Sequence, residues 1–235
     1  MSALYEALTK YNMPENRCVA EDDCDYFDEA TENYIHTYIF GSLSEEDEVN
    51  FDAGATQFCF IDHKNKVAYK IPFTHYLSYE NEEVWDEEEE RYVWDYAEEP
   101  TEIPLFQNYT AYAEVVYEDA IDFNVEMFFA EVKVAGYSAN GLPFWEQPLC
   151  IPYQSHKSTP TKDSLERVEK LNEIMHNPFR NDWAAECIDV YGEDAWVAFL
   201  DFLDQYDVRD LHSGNYGWEA ETGRPIVFDY SGYCE

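Results

Sequence analysis

Apolar and polar positions along the chain divide it into recognisable elements. Phe51-Asp52-Ala53-Gly54-Ala55-Thr56-Gln57-Phe58-Cys59-Phe60-Ile61 reads as strand, small-residue turn and strand, and Asp62 to Lys66 as a polar turn. Val67 to Phe73 is an apolar strand with one Lys, Lys70, near its centre. Ala113, Val116, Tyr117 and Ala120 recur at helical spacing, which predicts a helix over Tyr109 to Asp122. Met127 to Tyr137 and Leu142 to Tyr153 read as two strands joined by the turn Ser138-Ala139-Asn140-Gly141. A polar linker, Ser155 to Asp163, precedes helices at about Ser164 to Met175 and Glu193 to Tyr206, with another over Trp183 to Val190. The helix at 193–206 carries the apolar stripe Ala195, Phe199, Phe202 and Leu203, and Pro225-Ile226-Val227-Phe228 closes the pattern as a short apolar strand. Upstream of residue 49, the pattern predicts a short amphipathic helix and then an acidic loop or helix around Tyr34 to Phe40. No internal repeat is present.

Charge changes this picture. The 235-residue chain carries a formal net charge of −37, yet 46% of its residues are hydrophobic and 17% aromatic. That composition folds, with one good core or two small lobes. A surface so acidic repels a phosphate backbone and an anionic membrane, so a charged partner should be basic. The acid is clustered: residues 15–50 hold twelve Asp or Glu against Arg17, and residues 80–102 hold twelve more against Arg91, 24 of the 51 in all. The second cluster contains Glu82, Glu83, Asp86, Glu87, Glu88, Glu89 and Glu90, interleaved or flanked by Trp85, Tyr92, Trp94 and Tyr96. A bare charge run is ordinarily a solvated face. The aromatics point instead to an ordered segment that displays carboxylates and imitates a nucleic-acid backbone. A high-salt habitat would also select general surface acidity.

The six cysteines, Cys18, Cys24, Cys59, Cys150, Cys187 and Cys234, form no CxxC pair and no regular metal spacing. Cys59 and Cys150 fall in predicted strands as small apolar residues. Met1 to Lys10 is too polar for export and no apolar run reaches transmembrane length, which predicts a reduced, cytoplasmic compartment.

Candidate chemistry gathers at the end of the chain. Arg209-Asp210-Leu211-His212-Ser213-Gly214-Asn215 places an Asn five residues after an Asp, and a second Asp, Asp229, ends the apolar strand at 225–228. Phosphoryl transfer needs such a set: a carboxylate to receive a hydroxyl proton, and an amide and a carboxylate to hold Mg²⁺. Upstream, the turn Asp52 to Thr56 lets backbone N–H groups approach phosphates, and Lys70 is a strand-borne cation to hold their charge.

In these residues the chain resembles the protein-kinase-like fold, in the branch whose catalytic loop reads Asp-Leu-His-x-x-Asn, as in aminoglycoside phosphotransferases and small phage-encoded protein kinases. The resemblance runs from about Asp52 to Gly232. It implies an α+β fold, with an antiparallel-sheet N-lobe carrying one main helix and a minimal helical C-lobe. It also implies that Asp52, Gly54, Ala55 and Thr56 form the phosphate-covering loop, and that Lys70 contacts the α- and β-phosphates of ATP. Asp210 would be the catalytic base, Asn215 and Asp229 the Mg²⁺ ligands, and His212 a residue that orders the loop. Lys70 should pair with a Glu on the next helix, Glu114 first and Glu118 second. Gln147 to Pro152 would be the adenine-binding hinge, with Gln147 the cofactor contact, although Pro148 and Pro152 remove backbone donors there.

Three departures stand out. Val208 precedes Arg209 where such loops carry His, the motif reads Asp-Tyr-Ser-Gly where Asp-Phe-Gly is usual, and the sequence stops three residues after Gly232. The expected organisation is an acidic extension over 1–48, an N-lobe over 49–153 with an acidic insertion at 78–104, and a truncated C-lobe over 154–235. The expected activity is Mg²⁺- and ATP-dependent transfer to a hydroxyl of a basic or nucleic-acid-binding protein, in a phage-type host-takeover or anti-defence role in the host cytoplasm. The alternative is a non-catalytic acidic inhibitor that uses a kinase scaffold to mimic nucleic acid.

Overall fold

In the computed structural model, residues 2–14, 16–18, 29–53, 57–78, 81–86, 91–96, 101–104, 109–155, 158–208 and 210–230 are described. Within these, only the backbone is described at 16–18, 29–30, 53, 76–78, 81–86, 92–96, 101–104 and 109–110. The elements run α1 (Ala3–Lys10), β1 (Asn16–Cys18), α2 (Glu29–Tyr34), β2 (Val49–Ala53), β3 (Gln57–Asp62), β4 (Val67–Pro72), β5 (His75–Ser78), β6 (Asn81–Asp86), β7 (Arg91–Tyr96) and β8 (Thr101–Pro104). They continue α3 (Tyr109–Asp122), β9 (Lys133–Tyr137), β10 (Pro143–Pro148), β11 (Cys150–Pro152), α4 (Lys162–Leu171), α5 (Asn181–Tyr191), α6 (Glu193–Gln205), β12 (Tyr216–Glu219) and β13 (Pro225–Val227). The molecule is α+β.

Its main sheet is antiparallel, in the order β2-β3-β4-β10-β9. Strand β3 alternates as the pleat requires, with Phe58, Phe60 and Asp62 buried and the residues between them partly exposed. The Phe58 and Phe60 face packs with Ile71 and Phe144 beneath α1 and a π-helical turn, Ile35–Ile39, that continues α2. Ser2 caps α1 by accepting from Tyr5 N at 3.2 Å, and the helix buries Leu4, Ala7 and Leu8. Leu4, Ala7, Leu8, Met13, Ile35 and Ile39 therefore share the core on one face of the sheet.

A second core gathers α3, α5, α6, β12 and β13 around Phe128, Phe129, Trp183, Trp196 and Phe199. Phe128 stacks on Phe199 with ring centroids 4.3 Å apart. Strands β11, β12 and β13 form a small sheet in that order. Gly217 makes it possible, because a Cβ there would stand 1.9 Å from the Ile151 carbonyl oxygen.

Three expectations about elements change. The strand expected over Met127 to Tyr137 begins only at Lys133, because Glu126–Phe128 is a 3₁₀ turn and Phe129 makes a parallel bridge to Val227. The single strand expected over Leu142 to Tyr153 divides after Pro148, and its second part joins the small sheet at β11. The helix expected to reach Met175 ends at Leu171. The acidic insertion holds strand: β6 and β7 pair antiparallel from Asn81↔Tyr96 to Asp86↔Arg91, and β5 joins β1 and β8 in a three-stranded sheet. No helix among the described residues is long and apolar enough to cross a membrane.

Candidate functional site

Strand β4 delivers Lys70 to the face of the main sheet opposite the Phe58 and Phe60 core. The register aligns Asp52, Cys59, Lys70 and Trp145 in one row across β2, β3, β4 and β10. Lys70 is only 7% exposed, and a buried ammonium must be compensated. It donates to the Phe228 carbonyl at 3.3 Å, across 158 residues of chain, and lies 3.7 Å from Asp229 Oδ1.

The expected pair of Lys70 with Glu114 is not the contact that forms. Glu114 lies on α3 as expected, but its Oε2 accepts from Trp145 Nε1 at 2.9 Å. Trp145 is the cross-strand neighbour of Lys70, so Glu114 stands one side chain away from the lysine. A helical pattern fixes which residues face a sheet, not which of several donors a carboxylate takes. Trp145 could have been sought from the sequence as an apolar position of β10 two residues before Gln147.

Asp229 is carried by β13, whose three residues are all buried, and by Tyr230 beyond it. Tyr230 is fully buried, packs edge-on against Phe129 at 4.6 Å and donates to the Ala130 carbonyl at 2.7 Å. The departure at this position thus gains a hydrogen bond that Phe lacks. The backbone N–H groups of Phe228 and Asp229 both donate to the Asn215 carbonyl, at 2.9 and 3.2 Å. Asn215, 7% exposed, donates through Nδ2 to the Asp210 carbonyl at 2.6 Å. One backbone junction therefore joins Asp210, Asn215 and Asp229.

Asp210 itself has φ +60°, in the left-handed region that Asp tolerates better than most residues. Its side chain is 45% exposed, with Oδ1 3.6 Å from His212 Nε2. The His212 ring is held in turn by a hydrogen bond from Gly214 N to Nδ1 at 3.0 Å. A Cβ on residue 214 would meet the imidazole at 2.8 Å and push the exposed His212 ring aside. His212 thus contacts the Gly214 backbone and the Asp210 carboxylate.

The remaining expected residues divide. Asp52 lies on β2 beside Cys59, while Gly54, Ala55 and Thr56 fall outside the described residues. Gln147 is 5% exposed, and its Oε1 finds no hydrogen-bond partner among the described residues. Leu149, expected in the hinge, already uses its backbone: its N–H donates to Lys66 O and its carbonyl accepts from Ala220 N, both at 2.8 Å. Glu82, Glu83 and Asp86 lie on β6, with backbone pairings Glu82↔Asp95, Glu83↔Trp94 and Trp85↔Tyr92; Glu87, Glu88, Glu89 and Glu90 are outside the described residues. Glu118 lies on α3 with Glu114.

Burial pushes the Cys59 thiol up to about 11 although Lys70 pulls the other way, and pushes Cys150 to about 12. Neither is a thiolate nucleophile at neutral pH. No group of three or more His, Cys, Asp or Glu among the described residues forms a metal cage. Mg²⁺ shared between one amide oxygen, one carboxylate, phosphate and water needs no such cage, and Asn215 and Asp229 are hard oxygen donors of that kind. The chain matches no family model, no curated protein and no solved structure.

Proposed function

We propose that the protein is a kinase-like, Mg²⁺- and ATP-dependent phosphotransferase acting on a hydroxyl of a basic or nucleic-acid-binding partner protein. The observation that carries this reading is the contact between Lys70 and Asp229. It brings a sheet-borne lysine, a strand-end carboxylate and the Asp210–Asn215 loop to one place, with Lys70 on the third strand of the main sheet and α3 following. Those are the parts phosphoryl transfer requires.

Mg²⁺-ATP, when bound, supplies the transferable γ-phosphoryl group and neutralises its charge. The chain's own part is positioning. Lys70 holds phosphate oxygens from a buried site, Asn215 and Asp229 present oxygen ligands for the metal, and the Gln147 Oε1 offers a buried acceptor to the base. Asp210, exposed at the loop, takes the proton of the acceptor hydroxyl as its oxygen bonds to phosphorus and the bond to ADP breaks. The acidic stretch 80–102, with twelve Asp or Glu, supplies charge for a basic partner.

Phosphate transfer from labelled ATP to a basic acceptor protein, with Mg²⁺, tests this directly. Native protein should label the acceptor, while Asp210→Ala and Asp229→Ala should reduce labelling by 10² or more, about the weight of a general base or an electrostatic clamp. Equal labelling by all three would overturn the assignment. A second reading draws on the pairing of β6 with β7 within the acidic stretch: this part of the chain blocks a nucleic-acid-binding protein without any transfer. Partner binding that persists in both variants, with no labelling by the native chain, would select it.

A further inference from the structure

A cavity of about 500 Å³ opens beside Asp210, between the C-terminal half of α6 and the loop after α4. Its floor is apolar, made in part by Leu200, Leu203 and Val208, each under 9% exposed. Ile174 stands on its rim with 78% of its surface in solvent, the most exposed large apolar residue of those described. Along one wall, carboxylates recur every third residue: Asp201 and Asp204 on α6, then Asp207 and Asp210 beyond its end. Both of the latter have positive φ, +52° and +60°, so the chain turns left-handed twice while lining the cavity. No Lys or Arg is among the described lining residues.

We propose that this cavity is a docking site for an extended segment of a partner protein that carries one apolar side chain flanked by Lys or Arg. The apolar floor and Ile174 would take the apolar side chain, and Asp201, Asp204 and Asp210 the flanking cations. Charge decides between occupants. A second copy of this chain brings another −37 to a wall of carboxylates, and nucleic acid brings phosphates to it; a basic segment alone lowers the repulsion. Because Asp210 belongs to the same wall, a hydroxyl next to the docked residue lies beside the proposed proton acceptor. That last consequence rests on the phosphotransfer reading; the docking does not.

Binding of a fluorescein-labelled decapeptide, Gly-Gly-Lys-Arg-Leu-Arg-Lys-Ser-Gly-Gly, to the full chain by anisotropy, without ATP or Mg²⁺, tests it. The Asp201→Asn/Asp204→Asn double variant should weaken binding roughly tenfold, since each exposed charge pair accounts for a few-fold. Ile174→Ser should weaken it severalfold, and replacing the peptide's Leu by Gly about twentyfold, the weight of one buried aliphatic side chain. All variants alter exposed positions, so unchanged circular dichroism and melting would certify the fold. The proposal fails if the peptide shows no saturable binding below about 1 mM. Equal binding of the Leu and Gly peptides, or equal competition by spermine, would reduce the cavity to a non-specific counter-ion surface and overturn it. So would a concentration-dependent dimer that Ile174→Ser abolishes, since a second copy would then be the occupant. A chain that binds the peptide selectively but never phosphorylates its Ser would refute the phosphotransfer reading and leave docking intact. Transfer to the peptide that is indifferent to Asp201, Asp204 and Ile174 would do the reverse.

Discussion

Gln147 is the residue at which function and stability pull apart. A buried acceptor without a partner costs about 1–3 kcal/mol, and the Gln147 Oε1 has none among the described residues. Gln147→Met keeps volume and removes the orphan. The expected result is a ligand-free protein that melts several degrees higher, together with a smaller stabilisation by Mg²⁺-ATP. A variant that melts lower, with the ATP effect intact, would show that the amide serves the fold alone. The thiols make a complementary case. With Cys59 held at about 11 and Cys150 at about 12, roughly 0.1% or less of either is thiolate at pH 8. Iodoacetamide at pH 8 should therefore leave both intact in the folded protein while alkylating them in urea; mass spectrometry reads the difference, and rapid native labelling of Cys59 would contradict it.

At the scale of elements, the polar contacts of α4 carry a pH dependence whose sign can be worked out. Thr161 caps α4, and Asp189 of α5 receives Thr161 N at 2.8 Å and Thr161 Oγ1 at 2.9 Å, with a further short contact from Ser164 Oγ. Burial alone would raise the Asp189 carboxyl, but these donors, aided by Arg167, outweigh it and hold it below the usual carboxylate range. A carboxylate depressed on folding contributes stability above its unfolded value, about 4, and that contribution disappears as pH falls through the lower folded value. Urea unfolding should accordingly show Asp189→Asn destabilised at pH 7, with the difference from native shrinking as pH falls below about 4; a constant difference would refute the linkage. Thr161→Ala should lose about 1 kcal/mol. The same elements show what a sequence discloses. Helix α3 was legible from Ala113, Val116 and Ala120, all of which are buried, and the Asp210–Asn215–Asp229 set from its spacing. The run Met127 to Val132 misled because Phe128, Phe129 and Ala130 are buried in turn and bridge rather than strand, and continuous apolar runs carry no period. The Glu114–Trp145 bond and the Lys70–Asp229 contact depend on side-chain approach between elements far apart in the chain, which no local pattern encodes.

For the whole molecule, charge sets stability and recognition in opposite directions. A net charge of −37 on 235 residues makes the compact state self-repelling, and the repulsion reaches furthest at low ionic strength, where the Debye length is about 30 Å at 0.01 M against about 10 Å at 0.1 M. Raising NaCl from 10 to 500 mM should therefore raise the melting temperature steadily, with most of the gain below about 100 mM. Attraction to a basic partner is screened by the same ions, so the association rate with that partner should fall over the range in which the fold gains stability. The two slopes separate the explanations of the acidity. A protein adapted to high salt would gain stability and keep its partner at 500 mM, because its acid serves solvation. A protein whose acid serves recognition would be more stable there and bind more slowly. Melting curves and stopped-flow association at matched salt concentrations measure both quantities, and a binding rate independent of salt would remove the acidic stretch 80–102 and the aspartate-walled cavity from partner choice together.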